Sequence, residues 1–219
     1  MATSGTQTFE LDVSDIIEEA FDRLGIELRT GYQAKTARRS LDLLLQEWSN
    51  RQVHLWKMIL TTQALTASTA TYTQGAEILD ITDVVLRRDG VDTTMHRLSR
   101  AEYQTRPNKT TTGRPNQYWF ERLLTPVIHL YPTPENSTDT LRFYAMERIE
   151  DVSTSQNTLD IPSRFLPALT SGLTYKLAIK FKVELAQAMQ AIYSEELSLA
   201  QDEDRERVPF KVIPKLARV

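Results

Sequence analysis

The sequence predicts an α+β protein, mainly α: N- and C-terminal helix pairs form a four-helix bundle, with a central β-rich insertion and an extended C-terminal tail. Three observations carry this reading. Apolar residues recur at steps of three and four near both ends of the chain, the period of an amphipathic helix. From residue 57 to 152, β-branched and aromatic residues, Thr-rich stretches and most of the prolines replace that period, which is the texture of strands and turns. The last twelve residues hold Pro209 and Pro214, which keep them extended. The expected organisation is a helical bundle from 1–56 and 153–207, a β lobe over 57–152, and a tail over 208–219.

Taken in order, Val13, Ile16, Ile17, Ala20, Phe21 and Leu24 make one apolar stripe, with Asp12 or Ser14 as N-cap and Gly25 as stop, so a helix is expected over 13–25. Ala34, Ala37, Leu41, Leu44 or Leu45, and Trp48 repeat the pattern with Lys35, Arg38, Arg39 and Asp42 on the opposite face, giving a second helix over 32–52. Such a pair cannot bury its stripe alone and needs a partner. Strands are expected near 58–65, 70–73, 83–88, 116–121, 126–131 and 140–148, with a turn at Asp89-Gly90. Ser99 and Glu102 form a capping box that opens a short helix ending before Pro107. After Pro162 and Ser163, the stripes Leu166, Leu169, Leu173, Leu177, Phe181 and Leu185, Met189, Tyr193, Leu197, Ala200 mark the second helical block. With no Gly or Pro between Gly172 and Pro209, local chemistry leaves one long helix or a hairpin. We read a hairpin broken near Lys182.

The 219 residues, 41% hydrophobic and 25% charged, suffice to bury a core and exclude disorder along the whole chain. A net charge of −3 excludes a generally basic nucleic-acid binder, though not a local basic patch. There is no cysteine, so disulfides, thiolate zinc sites and cysteine nucleophiles are excluded. No apolar run approaches the ~20 residues of a membrane span, and residues 1–10 lack the basic and apolar regions of a secretory signal.

Catalytic and cofactor signatures are missing in the same way. The seven glycines are too scattered for a dinucleotide fingerprint. The stretch from Gly25 to Gly31 has one residue too many for a phosphate loop, and Tyr32 stands where that loop needs Lys. His54, His96 and His129 have no metal-ligand partners at helical spacing, and His129 reads as a partly buried strand residue. No nucleophile elbow occurs, which leaves only a hydrolase whose triad is assembled in space. No enzyme and no cofactor is therefore expected.

Three surfaces stand out instead. Asp15, Glu18, Glu19 and Asp22 make the first helix acidic, either a solvated face or a surface that repels DNA phosphates or meets a basic neighbour. Arg87, Arg88, Arg97, Arg100, Arg106, Lys109 and Arg114 oppose only Asp89, Asp92 and Glu102 between 87 and 115, a local basic surface read as a protein contact ahead of a nucleic-acid contact. In the tail, Phe210, Val212, Ile213 and Leu216 can fill pockets, while Lys211, Lys215 and Arg218 meet acidic rims. That composition suits insertion into a partner.

Several phrases follow one another along the chain. Leu43-Leu-Leu-Gln-Glu-Trp48-Ser-Asn-Arg51 closes the second helix on a tryptophan. Then come Ile81-Thr-Asp-Val-Val-Leu-Arg-Arg-Asp-Gly90, Leu98-Ser-Arg-Ala-Glu-Tyr103 and Gly113-Arg-Pro-Asn-Gln-Tyr-Trp-Phe-Glu-Arg122. Ile128-His-Leu-Tyr-Pro-Thr-Pro134, Leu141-Arg-Phe-Tyr144 and Asp160-Ile-Pro-Ser-Arg-Phe165 complete the series. In this order, over residues 12–207, the chain resembles the head-to-tail adaptor (connector) proteins of tailed bacteriophages, the tail accessory or tail tubular type of short-tailed phages. The resemblance implies a homo-oligomeric ring of about twelve subunits beneath the portal protein. It further implies helical bundles in the ring wall, a β lobe offered to neighbours or tail parts, a C-terminal segment gripping the portal, and a downstream tail or nozzle protein. Genomic DNA would pass the channel without specific binding, and net acidity suits that. The expected location is the virion, assembled in the bacterial host cytoplasm, with no membrane partner. The acidic residues 15, 18, 19 and 22 would then face a subunit or the lumen, and arginines 87, 88, 97 and 100 a subunit or tail partner. The rival reading is a nucleic-acid-binding or regulatory module using 87–115.

Overall fold

The computed structural model describes residues 11–51, 55–152 and 158–204. In chain order these form α1 (Val13–Asp22), α2 (Gly31–Asn50), β1 (Met58–Ala64), β2 (Thr71–Thr73), β3 (Ile78–Arg88), β4 (Val91–Thr94), β5 (His96–Arg97) and α3 (Arg100–Gln104). There follow β6 (Thr112–Gly113), β7 (Gln117–Glu121), β8 (Val127–Tyr131), β9 (Thr133–Pro134), β10 (Thr140–Glu147), α4 (Leu166–Phe181) and α5 (Ala186–Glu203). The described residues divide into two compact units, one holding those up to Glu47 and from Asp151 onward, the other those of Trp48–Glu150.

In the helical unit, α1 buries Val13, Ile16, Ile17, Ala20 and Phe21. The Asp12 amide donates to the Asp15 carboxylate at 3.2 Å across its first turn. Gly25, at φ +61°, supplies the left-handed turn beyond its end. α2 opens on a reciprocal cap: the Thr30 amide donates to Gln33 Oε1 at 3.1 Å, and the Gln33 amide to Thr30 Oγ1 at 3.3 Å. Its inner face meets α4 through Lys176–Glu47 at 2.7 Å and Lys180–Ser40 at 2.7 Å. α4 is buried nearly all round, from Leu166 through Ala168, Leu169, Thr170, Ser171, Gly172, Leu173 and Thr174 to Leu177 and Ala178. Its hydroxyls at 170, 171 and 174 donate to carbonyls one turn back, so their burial leaves no orphan donor. The helix stops at Lys182, whose φ of −148° and ψ of 73° leave the helical region. α5 then returns along α4, bringing Tyr193 onto Tyr175 with ring centroids 6.3 Å apart.

The second unit is a sandwich of two sheets. One has the order β1-β10-β3-β4 and the other β2-β8-β7-β5, with a small β6-β9 pair beside them. Ile81, Val84 and Leu86 of β3 and Leu141, Phe143 and Ala145 of β10 share one core with Tyr118 and Phe120 of β7 and Ile128 and Leu130 of β8. β7 is buried on its other face as well, where Trp119 packs with Leu98 and with Tyr103 of α3. Thus α3 covers the outer face of the second sheet, and the residues Tyr118, Trp119 and Phe120 are all buried.

The expectation of a mainly α protein, a four-helix bundle with a β insertion, is corrected. The fold is α+β, with strand in three sheets. The β segment is no appendage, because inner-facing residues from both sheets give it a core of its own. In the helical unit, α1, α2 and α5 lie against one central helix, α4, whose small buried residues let neighbours approach from several sides. That arrangement differs from the shared seam of two equivalent hairpins. The expected tail, 208–219, lies outside the described residues.

Candidate interaction surfaces

The acidic face of α1 borders a groove. Asp15, Glu18, Glu19 and Asp22 are exposed along it, and together with Leu11, Arg23 and, from the start of α4, Leu166, Pro167 and Thr170 they line a volume of about 580 Å³. Leu11, Leu166 and Pro167 give the groove an apolar part beside Ser163 and Thr170, and its charged lining is four carboxylates against one guanidinium. Glu19 binds Arg23 at 2.9 Å, a pair one helical turn apart that contributes little when exposed. The carboxylates of Glu18 and Asp22 have no hydrogen-bond or ion-pair partner among the described residues. The amino-terminal turn of α4 beside them offsets part of their mutual repulsion.

The outer face of α2 was not singled out by motif. Tyr32, Lys35, Arg39 and Leu43 follow one another at steps of three, four and four, so they form one stripe, with Arg38 flanking it. Tyr32 is 74% exposed and Leu43 68%. Lys35, Arg38 and Arg39 make no ion pair among the described residues. The readable signal was a tyrosine and a leucine three turns apart on the face opposite the buried stripe.

The basic region of the β lobe is mostly neutralised from within. Arg87 holds Asp92 through two bonds of 2.7 and 2.8 Å. Arg88 holds the buried Asp139 at 2.6 to 3.0 Å and Glu135 at 2.8 Å. Arg97 donates to Asp80 at 2.7 Å, and Arg122 binds the other Asp80 oxygen. Burial alone would raise the Asp80 pKa, but the bonds from Arg97, the Ile81 amide and Arg122 outweigh it and hold the carboxyl below its ordinary value. Arg114 donates to the Thr93 hydroxyl, while Arg106 and Lys109 sit over the Tyr131 and Tyr103 rings at 5.7 and 5.5 Å. Arg100, at the start of α3, is exposed and has no ion pair among the described residues. Counting charges between 87 and 115 missed Asp80, Glu135 and Asp139, which the sheets bring in from outside that window.

Three rings of the β lobe, Tyr103, Trp119 and His129, pack on one another. Trp119 stacks on His129 with centroids 4.5 Å apart, and Tyr103 lies 5.2 Å from Trp119. His129 Nε2 is 3.0 Å from a Glu121 carboxylate oxygen, so this half-buried histidine joins an aromatic and carboxylate cluster within the lobe. Among the described residues no group of His, Asp and Glu is arranged to hold a metal ion. No described helix is long and apolar enough to cross a membrane. Phe210, Lys211, Val212, Ile213, Lys215, Leu216 and Arg218 lie outside the described residues.

The family model described as SU10 adaptor protein matches residues 11–212, spanning both units. The chain belongs to the SU10 adaptor protein family. No curated protein matches it. Membership agrees with the resemblance to phage head-to-tail adaptors that the ordered phrases carry, and it makes this SU10-family chain a phage adaptor with a structural role as a virion component. Surfaces that can join components are therefore the parts of this adaptor to examine.

Proposed function

We propose that this SU10-family adaptor is one subunit of a ring of about twelve copies that docks on the portal protein and joins it to a downstream tail or nozzle protein. Genomic DNA passes through the ring without specific binding, and assembly takes place in the host cytoplasm. The observation that carries the reading is the adaptor-family match over residues 11–212. The geometry supports it in two ways. Among the described residues the helical unit presents two separate exposed faces, the groove beside α1 and the outer stripe of α2, and Arg87, Arg88 and Arg97 of the β lobe are engaged in ion pairs of their own, which makes that part of the lobe a poor holder of phosphates.

In this reading the tail grips the portal, with Phe210, Val212, Ile213 and Leu216 as apolar anchors and Lys211, Lys215 and Arg218 at acidic rims. Ordering twelve residues costs roughly 1 to 2 kcal/mol apiece in backbone entropy, so several anchors must be buried together. Deleting 208–219 should leave the melting temperature nearly unchanged and abolish binding to purified portal rings. Undiminished portal binding by the truncated chain overturns the docking role, and a large drop in melting temperature shows that the tail belongs to the chain's own core.

A further inference from the structure

We propose that the outer stripe of α2 on one copy seats in the groove between α1 and α4 of the next copy, and that this contact closes the ring. The inference rests on the ring reading above and names its subunit interface. The two faces lie on the same compact unit and are different patches. A contact between unlike patches is heterologous, so it repeats from copy to copy and closes when the rotation allows.

Charge favours the pairing. Lys35, Arg38 and Arg39 are unpaired cations among the described residues, and the groove lining holds Asp15, Glu18, Glu19 and Asp22 against Arg23 alone. Apolar surface matches as well: the exposed Tyr32 and Leu43 meet Leu11, Leu166 and Pro167 of the groove. Lengths agree too. Eleven residues of helix separate Tyr32 from Leu43, about 16 Å at ~1.5 Å per residue, and the lining from Leu11 to Arg23 spans a comparable distance. The inner face of α2 is already occupied by α4 through Glu47 and Ser40, which leaves the stripe as the face for a second copy. The basic tail, 208–219, is the competing occupant of the groove. A helical face of matching length, already built into α2, is favoured over it because it carries both the cations and the apolar residues that the groove would receive.

The test is a charge exchange in the full chain, read as copies gathered on purified portal rings. Lys35→Glu with Arg39→Glu, and separately Glu18→Lys with Asp22→Lys, should each weaken assembly at least about tenfold at unchanged melting temperature. All four substitutions together should restore it. Because the chain has no cysteine, Leu43→Cys with Pro167→Cys adds a direct readout: oxidation of assembled rings should give a ladder of cross-linked multimers. Wild-type assembly by both charge pairs, or no ladder from intact rings, overturns the contact while leaving the ring reading standing. Loss from the groove pair alone, with the α2 pair indifferent, assigns the groove to another occupant and also overturns it. If the wild-type chain gathers on no portal ring, the functional reading itself fails and this contact with it.

Discussion

At the residue scale, Asp80 shows how the β lobe holds its charges. Its carboxylate accepts from Arg97, from the Ile81 amide at 2.9 Å and from Arg122, and these bonds favour the ionised form more than burial disfavours it. A carboxyl whose folded pKa lies below its unfolded value stabilises the protein above that unfolded value, and the contribution is lost as pH falls through the lowered folded pKa. Asp80→Asn should therefore lower the melting temperature at pH 7 yet flatten its fall between pH 5 and 2, as thermal melts across that range would record. Equal slopes for variant and wild type would show that Asp80 carries none of the acid sensitivity. Little of this was legible in advance. Arg97 and Arg122 lie 17 and 42 residues from Asp80, and Arg88 lies 51 from Asp139, distances that only sheet register brings together.

At the element scale, α4 is closely packed around Gly172. A Cβ on Gly172 would stand 2.8 Å from the Tyr193 ring and 2.9 Å from Leu44 Cδ2, both side chains being buried. Overpacking of this kind costs about 1 to 3 kcal/mol, against about 1 kcal/mol gained from alanine's helix propensity. Gly172→Ala should destabilise by about 1 kcal/mol in chemical denaturation, and a more stable variant would mean that Leu44 and Tyr193 yield freely. The break at Lys182 falls where the hairpin was expected, but local chemistry left one long helix equally open, since the φ of −148° that ends α4 there has no Gly or Pro to announce it. The amino-terminal half of β3 was not legible. Its buried residues, Ile78, Ile81, Val84 and Leu86, are spaced three, three and two apart, because the pairing with β10 shifts register twice and Asp83 turns to φ +49°. Each bulge inserts one residue and breaks the alternation on which strand reading depends.

At the scale of the whole molecule, the change of texture near residue 57 was enough to separate helical from β-rich sequence, and ordered phrases were enough to point to the adaptor family. The two-sheet sandwich was not legible, since composition marks strands but does not say which pair or face one another. The acidic helix was visible as a run of carboxylates, whereas the groove beneath it needed α4 beside α1. In the sequence the α2 stripe looks like an ordinary solvated face, and only the exposure of Tyr32 and Leu43 sets it apart. The most direct measurement of the adaptor role is the mass of the complex formed by the full chain with purified portal rings, compared with the mass of each alone. A portal carrying a full ring of about twelve copies is the expected result. A chain that leaves the portal mass unchanged and instead binds duplex DNA in a salt-sensitive manner would contradict it.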